Sequence, residues 1–106
     1  MPTSRLPGIY HQTLAERLDT VAEAAGLTPD EQARLAGGRG LDPAIADGMI
    51  ESVLGVYGLP YAVATNLVVN AQDRLVPMVI EEPSVVAGLS FAGRLVREGG
   101  GFAGRL

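Results

Sequence analysis

Apolar residues recur at helical spacing near the start of the chain, between residues 14 and 25. The positions that share one helical face are Leu14, Leu18, Val21 and Ala25. Thr13 and Glu16 have the spacing of a capping box, in which each side chain accepts a hydrogen bond from the other residue's backbone N–H. Gly26 supplies a left-handed stop. The pattern therefore predicts a first helix over residues 14–25.

Two more helix starts follow before any strand pattern. Residues 28–31 (TPDE) form a second capping box with proline at the first helical position, and Gly37-Gly38 ends that short helix. Asp42-Pro43 is a third start. The apolar stripe that follows it consists of Ile45, Met49, Ile50, Val53 and Leu54. We expect this third helix to continue to the end of the stripe, just before Gly55.

A different pattern begins after residue 56. Residues 61–64 and 67–69 are apolar without helical spacing, residues 70–73 (NAQD) are typical of a turn, and residues 75–80 are again apolar. This predicts a hairpin or two adjacent strands. Pro77 cannot donate to a sheet ladder, so the second strand is expected at a sheet edge or interrupted there.

The last helix is predicted to open at Pro83 and to run up to Gly99, because apolar residues recur between them at helical intervals. Residues 99–106 are expected to be irregular and mobile. The predicted fold is α+β, with short amino-terminal helices, then a strand pair and a long helix. We divide it into an amino-terminal helical region, residues 1–55, and a second unit, residues 56–106.

Composition narrows the class of partner. The chain has 106 residues and a net charge of −4, and all eight of its positive charges are arginine. This charge argues against binding to nucleic acid or to an anionic membrane. There is no cysteine, which excludes disulfides and thiolate metal sites, and no apolar run approaches the roughly 20 residues of a membrane span. We expect a cytoplasmic protein that does not enter the membrane.

Two adjacent carboxylates, Glu81 and Glu82, are the main candidates for chemistry because they lie where a strand gives way to a helix. The pattern alone favours a structural interpretation, since the helix macrodipole stabilises an acid at this position. A general acid needs a raised pKa. Neighbours on a strand point to opposite faces, so we expect burial, not the second carboxylate, to meet that need.

Other candidates are weaker. His11 is the only histidine, so no multi-histidine metal site is possible, and we expect it at the surface. Residues 99–104 (GGGFAG) match a dinucleotide fingerprint formally, but they follow a helix instead of a strand, so we reject a cofactor site there. Ser84 and Ser90 have no nearby histidine to act as a base. Arg94 and Arg97 are interpreted as cations at a helix carboxyl terminus, with phosphate binding as the minor alternative.

Several blocks resemble the opening of hydroxymethylglutaryl-CoA reductases of the bacterial, degradative (class II) type. These are residues 4–8 (SRLPG), 45–51 (IADGMIE), 59–66 (LPYAVATN), 75–78 (LVPM) and 81–87 (EEPSVVA), followed by Gly99, Gly100 and Phe102. Their order and spacing match over about residues 4–102, which is more specific than any single short motif.

The resemblance implies a reductase that interconverts hydroxymethylglutaryl-CoA with mevalonate and CoA, using NAD(H) or NADP(H). It assigns the catalytic glutamate to Glu82, which would help to protonate the thioester-derived oxygen, and a substrate contact to Ser84. Residues 56–106 would then begin the large substrate-binding domain, truncated here. The full-length enzyme is expected to be a homo-oligomer with active sites at a dimer interface. Ser52 stands where the family usually has asparagine, which puts any contact made by that asparagine in doubt.

Length is the main departure from the family. Its members are several times longer and supply a lysine, an aspartate and a histidine from later segments, whereas this chain has no lysine. We therefore expect a segment that is inactive alone and binds no cofactor itself. Two alternatives are a truncated gene product, and a non-catalytic module that docks another protein through Ala87-Gly88 and Ala92-Gly93 of its last helix.

Overall fold

The computed structural model describes residues 3–37 and 40–105. A short 3-10 turn and three α-helices precede a two-stranded antiparallel sheet and a fourth helix. The bounds are Ile9–His11 for the 3-10 turn, Leu14–Ala25 for α1, Pro29–Ala36 for α2, Pro43–Met49 for α3, Tyr61–Val69 for β1, Gln72–Val79 for β2 and Val85–Arg97 for α4. The predicted α+β order of short helices, strand pair and long helix is confirmed.

Both predicted capping boxes are present. The backbone N–H of Glu16 donates to the Thr13 hydroxyl at 3.3 Å, and the N–H of Thr13 donates to the Glu16 carboxylate at 3.0 Å. Thr28 and Glu31 make the same pair of contacts at 3.2 and 2.8 Å. Helix α1 ends at Gly26, whose φ of 68° lies in the left-handed region that glycine adopts at little cost. Local sequence therefore sets the start of both helices.

Helices α1 and α2 pack against each other. Ala22 is the buried residue of α1, and Gln32 of α2 donates to the Asp19 carboxylate across the contact. Gly37, at the end of α2, keeps a helical conformation with a φ of −74°. Gly38, the second half of the predicted stop, lies outside the described residues. The pair forms a small helical layer with little apolar interior.

Helix α3 is shorter than predicted, because it ends at Met49 and not at Leu54. The backbone is extended at Ile50, and Ser52 has a left-handed φ of 58° that a helix cannot contain. The apolar stripe stays exposed at Ile45, Met49, Ile50 and Leu54. Short helices depend on tertiary packing for stability, and only Val53 of this stripe is even half-buried in the described residues. The periodic pattern alone was therefore a poor guide to the end of α3.

The predicted hairpin is confirmed, with β1 and β2 antiparallel. The connection is a two-residue turn, Asn70-Ala71, with φ values of 49° and 63° that are typical of a type I′ turn. The turn is thus shorter than the four residues expected, and Asp73 belongs to β2. Pro77 lies opposite Val63. It is tolerated because each strand of a two-stranded sheet has an outer edge that needs no pairing.

A β-bulge interrupts β1, where Thr65 and Asn66 together lie opposite one residue of β2. Helix α4 packs on β1 next to this bulge. The contact is close because Gly93 lacks a side chain: a Cβ atom there would lie 3.2 Å from Leu67 Cγ and 3.3 Å from the Thr65 carbonyl oxygen. The expectation that Gly93 helps to dock another protein is therefore wrong, since its face is covered by the chain's own strand. Gly88 remains exposed.

The glycine-rich tail is ordered against β1, contrary to the prediction that it is mobile. Phe102 forms a parallel bridge with Val69, and its N–H donates to the Val68 carbonyl at 2.8 Å. Gly101 has a φ of 88°, and a Cβ atom there would lie 2.5 Å from the Val68 carbonyl oxygen. The side chain of Asn70 holds Gly104, accepting from its N–H at 2.9 Å and donating to its carbonyl at 3.0 Å. The tail is irregular but fixed.

The chain is elongated, with extents of 49 × 32 × 25 Å and a radius of gyration of 16.1 Å. A compact domain of this length would have a radius of gyration of about 13 Å. Residues 53–60, the arm between α3 and β1, have no regular secondary structure and are exposed except at Val53. Within residues 3–37 and 40–105, no helix is both long enough and apolar enough to cross a membrane.

Candidate active site

The two candidate carboxylates lie in a bend between β2 and α4. Strand β2 ends at Val79. The N–H of Ile80 donates to the Pro60 carbonyl at 3.4 Å, which is the last hydrogen bond at the end of the hairpin away from the turn; we call this the open end. Glu81 and Glu82 then turn away from the sheet, and both are exposed. Among the described residues, none donates a hydrogen bond to either carboxylate. Their oxygens are free to meet a ligand.

Helix α4 begins at Val85, two residues later than the predicted opening at Pro83. The cause is Ser84, which precedes the helix in the left-handed region with a φ of 76° and makes no side-chain cap hydrogen bond. For a residue with a Cβ atom, this conformation costs about 1–2 kcal/mol. Strain of this kind is concentrated at functional sites, where it fixes the direction of a side chain or a backbone group. Glu82 and Ser84 therefore share one strained, exposed turn.

The burial expected for Glu82 is not supplied by the described part of this chain. The arm enters β1 at the same end of the hairpin at which the chain leaves β2 toward Glu82. The side chains around the bend are apolar and also exposed. Exposed apolar side chains near this end include Leu59, Tyr61 and Val79. The bend is thus one side of a surface that a ligand or another part of a protein would have to close.

A second polar cluster lies at the opposite end of the hairpin. Ser4 is fully buried; its N–H donates to Asp73 Oδ1 at 2.9 Å, and its hydroxyl contacts the same oxygen and the Leu67 carbonyl. Arg97 of α4 donates to both carboxylate oxygens of Asp73, at 3.1 and 3.2 Å, and to the Asn66 carbonyl at 2.8 Å. These contacts join the amino terminus, the hairpin and α4 in one network.

The network holds the pKa of Asp73 below its usual range. The main cause is the hydrogen bond from the Ser4 hydroxyl, followed by that from the Ser4 N–H, and the Arg97 guanidinium adds to both. Each contact stabilises the carboxylate over the neutral acid. The donors of the cluster are directed at one another and at the backbone, so the cluster holds separate parts of the fold together.

Sequence reasoning missed this cluster. Asp73 was placed in a turn, and Arg97 was interpreted as a cation at a helix terminus. One signal was available: Ser90, Gly93 and Arg97 are three and four residues apart and share the face of α4 that covers β1. A polar residue on a packed face needs a partner, and Asp73 is that partner for Arg97.

The remaining candidates have structural roles or none. The Ser90 hydroxyl accepts from the Thr65 N–H at 3.0 Å and so satisfies a backbone donor of the bulge. His11 is exposed on the 3-10 turn, as expected, with its ring centroid 4.1 Å from that of Tyr10. Arg94 lies over the ring of Phe91 at 5.3 Å. Within the described ranges, no three His, Asp or Glu side chains are grouped to hold a metal ion.

The glycine-rich tail does not fit a dinucleotide. A phosphate-binding loop needs free backbone N–H groups at the start of a helix. Here the N–H groups of Gly99, Gly100 and Gly101 donate to the last carbonyls of α4, at 3.0 to 3.1 Å. The described tail therefore provides no cradle for a pyrophosphate.

Comparisons with known proteins connect this site to one family. The family model described as hydroxymethylglutaryl-coenzyme A reductase matches residues 13–106. A 3-hydroxy-3-methylglutaryl-coenzyme A reductase from Archaeoglobus fulgidus is 50% identical over 100 residues, which cover 94% of this chain and 23% of that protein. The chain thus spans about a quarter of the length of this relative.

Solved structures agree with this match. The class II 3-hydroxy-3-methylglutaryl-CoA reductase from Streptococcus pneumoniae, bound to NADPH in open conformations, superposes with a TM-score of 0.85 at 37% identity. The match covers 92% of this chain and 26% of that one. A second structure of the Streptococcus pneumoniae reductase gives the same TM-score and identity and is covered to 23%. The resemblance expected from the sequence blocks is confirmed.

Proposed function

The chain belongs to the hydroxymethylglutaryl-coenzyme A reductase family, and we propose that it forms the acid-bearing segment of such an oxidoreductase. The complete enzyme would interconvert hydroxymethylglutaryl-CoA with mevalonate and CoA by using a nicotinamide cofactor. Residues 1–55 would be an amino-terminal helical region, and residues 56–106 the start of the large substrate-binding domain. The chain alone would be inactive.

Glu82 is proposed as the catalytic acid. It would donate its proton toward the thioester-derived oxygen as negative charge develops there, which lowers the barrier to attack at the carbonyl carbon. Ser84 would hold the substrate with its hydroxyl. The observation that carries this proposal is that Glu82 and Ser84 lie in one exposed bend, without hydrogen bonds to the described side chains, in a segment that matches the reductase family.

The rest of the enzyme would complete the site. Because the tail does not fit a pyrophosphate, we assign binding of NAD(H) or NADP(H) to the part that this chain does not contain. The open end of the hairpin and the exposed arm, residues 53–60, would be covered by that part or by a second copy, as in a homo-oligomer. Leu54 and Tyr57 of the arm are almost fully exposed, and covering them would be favourable by roughly 1.5–3 kcal/mol for each large apolar side chain.

A chimera tests the proposal. The segment of the Archaeoglobus fulgidus reductase that matches this chain is replaced by residues 4–102, and oxidation of NADH or NADPH with hydroxymethylglutaryl-CoA is measured. We expect turnover in the chimera and a loss of 100-fold or more in kcat for Glu82→Gln, the range of general acid catalysis. Glu81→Gln is the matched control, since Glu81 is the adjacent carboxylate and is also exposed.

The outcomes separate the two carboxylates. A large loss of activity for Glu81→Gln, with full activity for Glu82→Gln, would show that the catalytic acid is Glu81 and that the proposed assignment to Glu82 is wrong. Equal small losses for both would mean that neither transfers a proton. The isolated 106-residue chain is measured in parallel, and turnover by it would contradict the proposal that the missing part is required.

A further inference from the structure

The amino-terminal residues 3–6 cross the β1 bulge like a strap, and one side chain fixes them there. The N–H of Asn66, freed from the hairpin ladder by the bulge, donates to the Ser4 carbonyl at 2.9 Å. The buried Ser4 hydroxyl, whose single proton is directed at the Asp73 carboxylate, also lies 3.0 Å from the Leu67 carbonyl oxygen. Ser4 therefore supplies an acceptor for the Asn66 N–H, which the bulge leaves without a strand partner.

The anchor of this strap is Asp73. Its carboxylate accepts from the Ser4 N–H and hydroxyl on one side and from the Arg97 guanidinium on the other. The Asp73 and Arg97 side chains are 26% and 11% exposed, so the pair is largely shielded from water. Two other arginines lie near Asp73 in the sequence or in the strap. Arg74 donates to Gln72 and not to Asp73, and Arg5 is exposed. The Asp73 carboxylate thus links the strap to α4, and Arg97 also reaches the Ser4 hydroxyl directly, at 3.4 Å.

The rest of the hairpin unit does not depend on the strap. Helix α4 is held to β1 by the Gly93 contact and by the bond from the Thr65 N–H to Ser90. The tail is held at the end of β1, next to the turn, by the hydrogen bond from the Asn70 N–H to the Phe102 carbonyl at 2.8 Å. Both attachments would persist if the strap left.

The strap also has a hinge. Gly8, four residues after Ser4, has a left-handed φ of 77°, and no atom lies within 4 Å of the position where its Cβ would stand. Beyond it, the 3-10 turn packs against α1, and α1 packs against α2. Rotation at Gly8 could therefore move the strap without unpacking these helices.

We propose that residues 3–6 form a strap that opens as a local unit, and that the Asp73 carboxylate is the clasp that keeps it closed. Opening breaks the bonds of Ser4 and bares the β1 edge at Asn66 and Leu67, while α4 and the tail stay in place. The strap is a conformational device independent of the catalytic role assigned to Glu82.

Amide hydrogen exchange on the full 106-residue chain, followed by NMR, tests the clasp. In Asp73→Ala, the Asn66 N–H should exchange at least tenfold faster than in the unchanged protein, because its acceptor Ser4 has left. The N–H groups of Thr65, Asn70 and Phe102 should be accelerated at least tenfold less than that of Asn66, because their partners are on α4, the tail and β1. Arg74→Ala is the matched control, an exposed neighbour on β2 whose loss should change none of these rates.

Two results would overturn the proposal. Equal acceleration of all four amides would mean that Asp73 supports the whole unit and that no local opening exists. Unchanged exchange at Asn66 would mean that the carboxylate does not hold the strap. If Asp73→Ala does not fold, Asp73→Asn keeps the side-chain volume and is judged by the same two comparisons.

Discussion

The two ends of the hairpin differ in how their polar groups are satisfied. At the turn end, Asp73 and Arg97 share hydrogen bonds with each other, with Ser4 and with backbone groups of the bulge. At the open end, Glu82 and Ser84 make no hydrogen bonds with described side chains and stand beside exposed apolar residues. About 20 Å of β2 separates Asp73 from Val79, so the two ends are independent.

This difference separates a polar cluster that stabilises the fold from the bend that we propose as the catalytic site. Buried polar groups are stabilising only when each has a partner, and the turn end meets that condition within the chain. The open end does not meet that condition, because Ser84 and Glu82 have no hydrogen-bond partner among the described side chains and so do not stabilise the fold. Polar groups without partners in the chain are expected at a ligand-binding site, whereas the polar groups of the Ser4–Asp73–Arg97 cluster already have partners.

The largest effect on stability is expected from breaking the clasped cluster at Arg97. Arg97→Met removes the charged partner of Asp73 and the donor to the Asn66 carbonyl. We expect a loss of about 2–3 kcal/mol in the free energy of unfolding, at the low end for a broken buried pair because Asp73 is partly exposed. Urea denaturation measures it. Arg94→Met, on the same helix but exposed over Phe91, should change stability by less than about 0.5 kcal/mol. Equal losses would deny any special role to the cluster.

A substitution in the tail tests whether residues outside the Ser4–Asp73–Arg97 cluster also stabilise the turn end of the hairpin. In Gly101→Ala the new methyl group meets the Val68 carbonyl at 2.5 Å and the backbone keeps an unfavourable φ of 88°. We expect a loss of about 2 kcal/mol, from strain and the displaced tail. Gly104→Ala is the control, because nothing lies within 4 Å of its Cβ position. A thermal midpoint that is the same for both variants would mean that the tail is not fixed in solution.

Local signals in the sequence predicted the parts of the fold that are locally determined. The capping boxes at Thr13 and Thr28 and the turn at Asn70 depend on residues within four positions of one another. The tail was mistaken for a mobile segment because its order depends on strand β1, more than 30 residues earlier. The end of α3 was missed for a related reason: a stripe such as that containing Ile45 predicts a helix only where something covers it.

The candidate site shows the same limit. Neither periodicity nor spacing distinguished Glu82 from Glu81, and only the family resemblance assigned the chemistry. The left-handed conformation of Ser84 could not be predicted either, since serine is not typical of that region and the sequence places a helix-opening proline before it. The Ser4 network joins residues up to 93 positions apart in the chain, which no local pattern encodes.

Acid should weaken the turn end of the hairpin. The pKa of Asp73 is lowered in the folded chain from an ordinary value of 3.8, so its ionised form favours folding. That contribution is complete well above pH 3.8 and is lost as the pH falls toward the lower folded pKa. The difference in unfolding free energy between the unchanged chain and Asp73→Asn should therefore shrink as the pH falls from 5 to 3. A pH-independent difference would contradict this linkage.

The smallest effect concerns the strain at the open end. Ser84→Gly removes the Cβ penalty of a φ of 76°, about 1–2 kcal/mol, but frees the unfolded chain, so we expect a net gain of about 0.5 kcal/mol in stability. Ser52→Gly is the matched control, because Ser52 is also exposed with a left-handed φ of 58°. Both variants should raise the urea midpoint slightly. In the chimera only Ser84→Gly should raise KM for hydroxymethylglutaryl-CoA, and equal KM values for the two would remove Ser84 from the proposed substrate contacts.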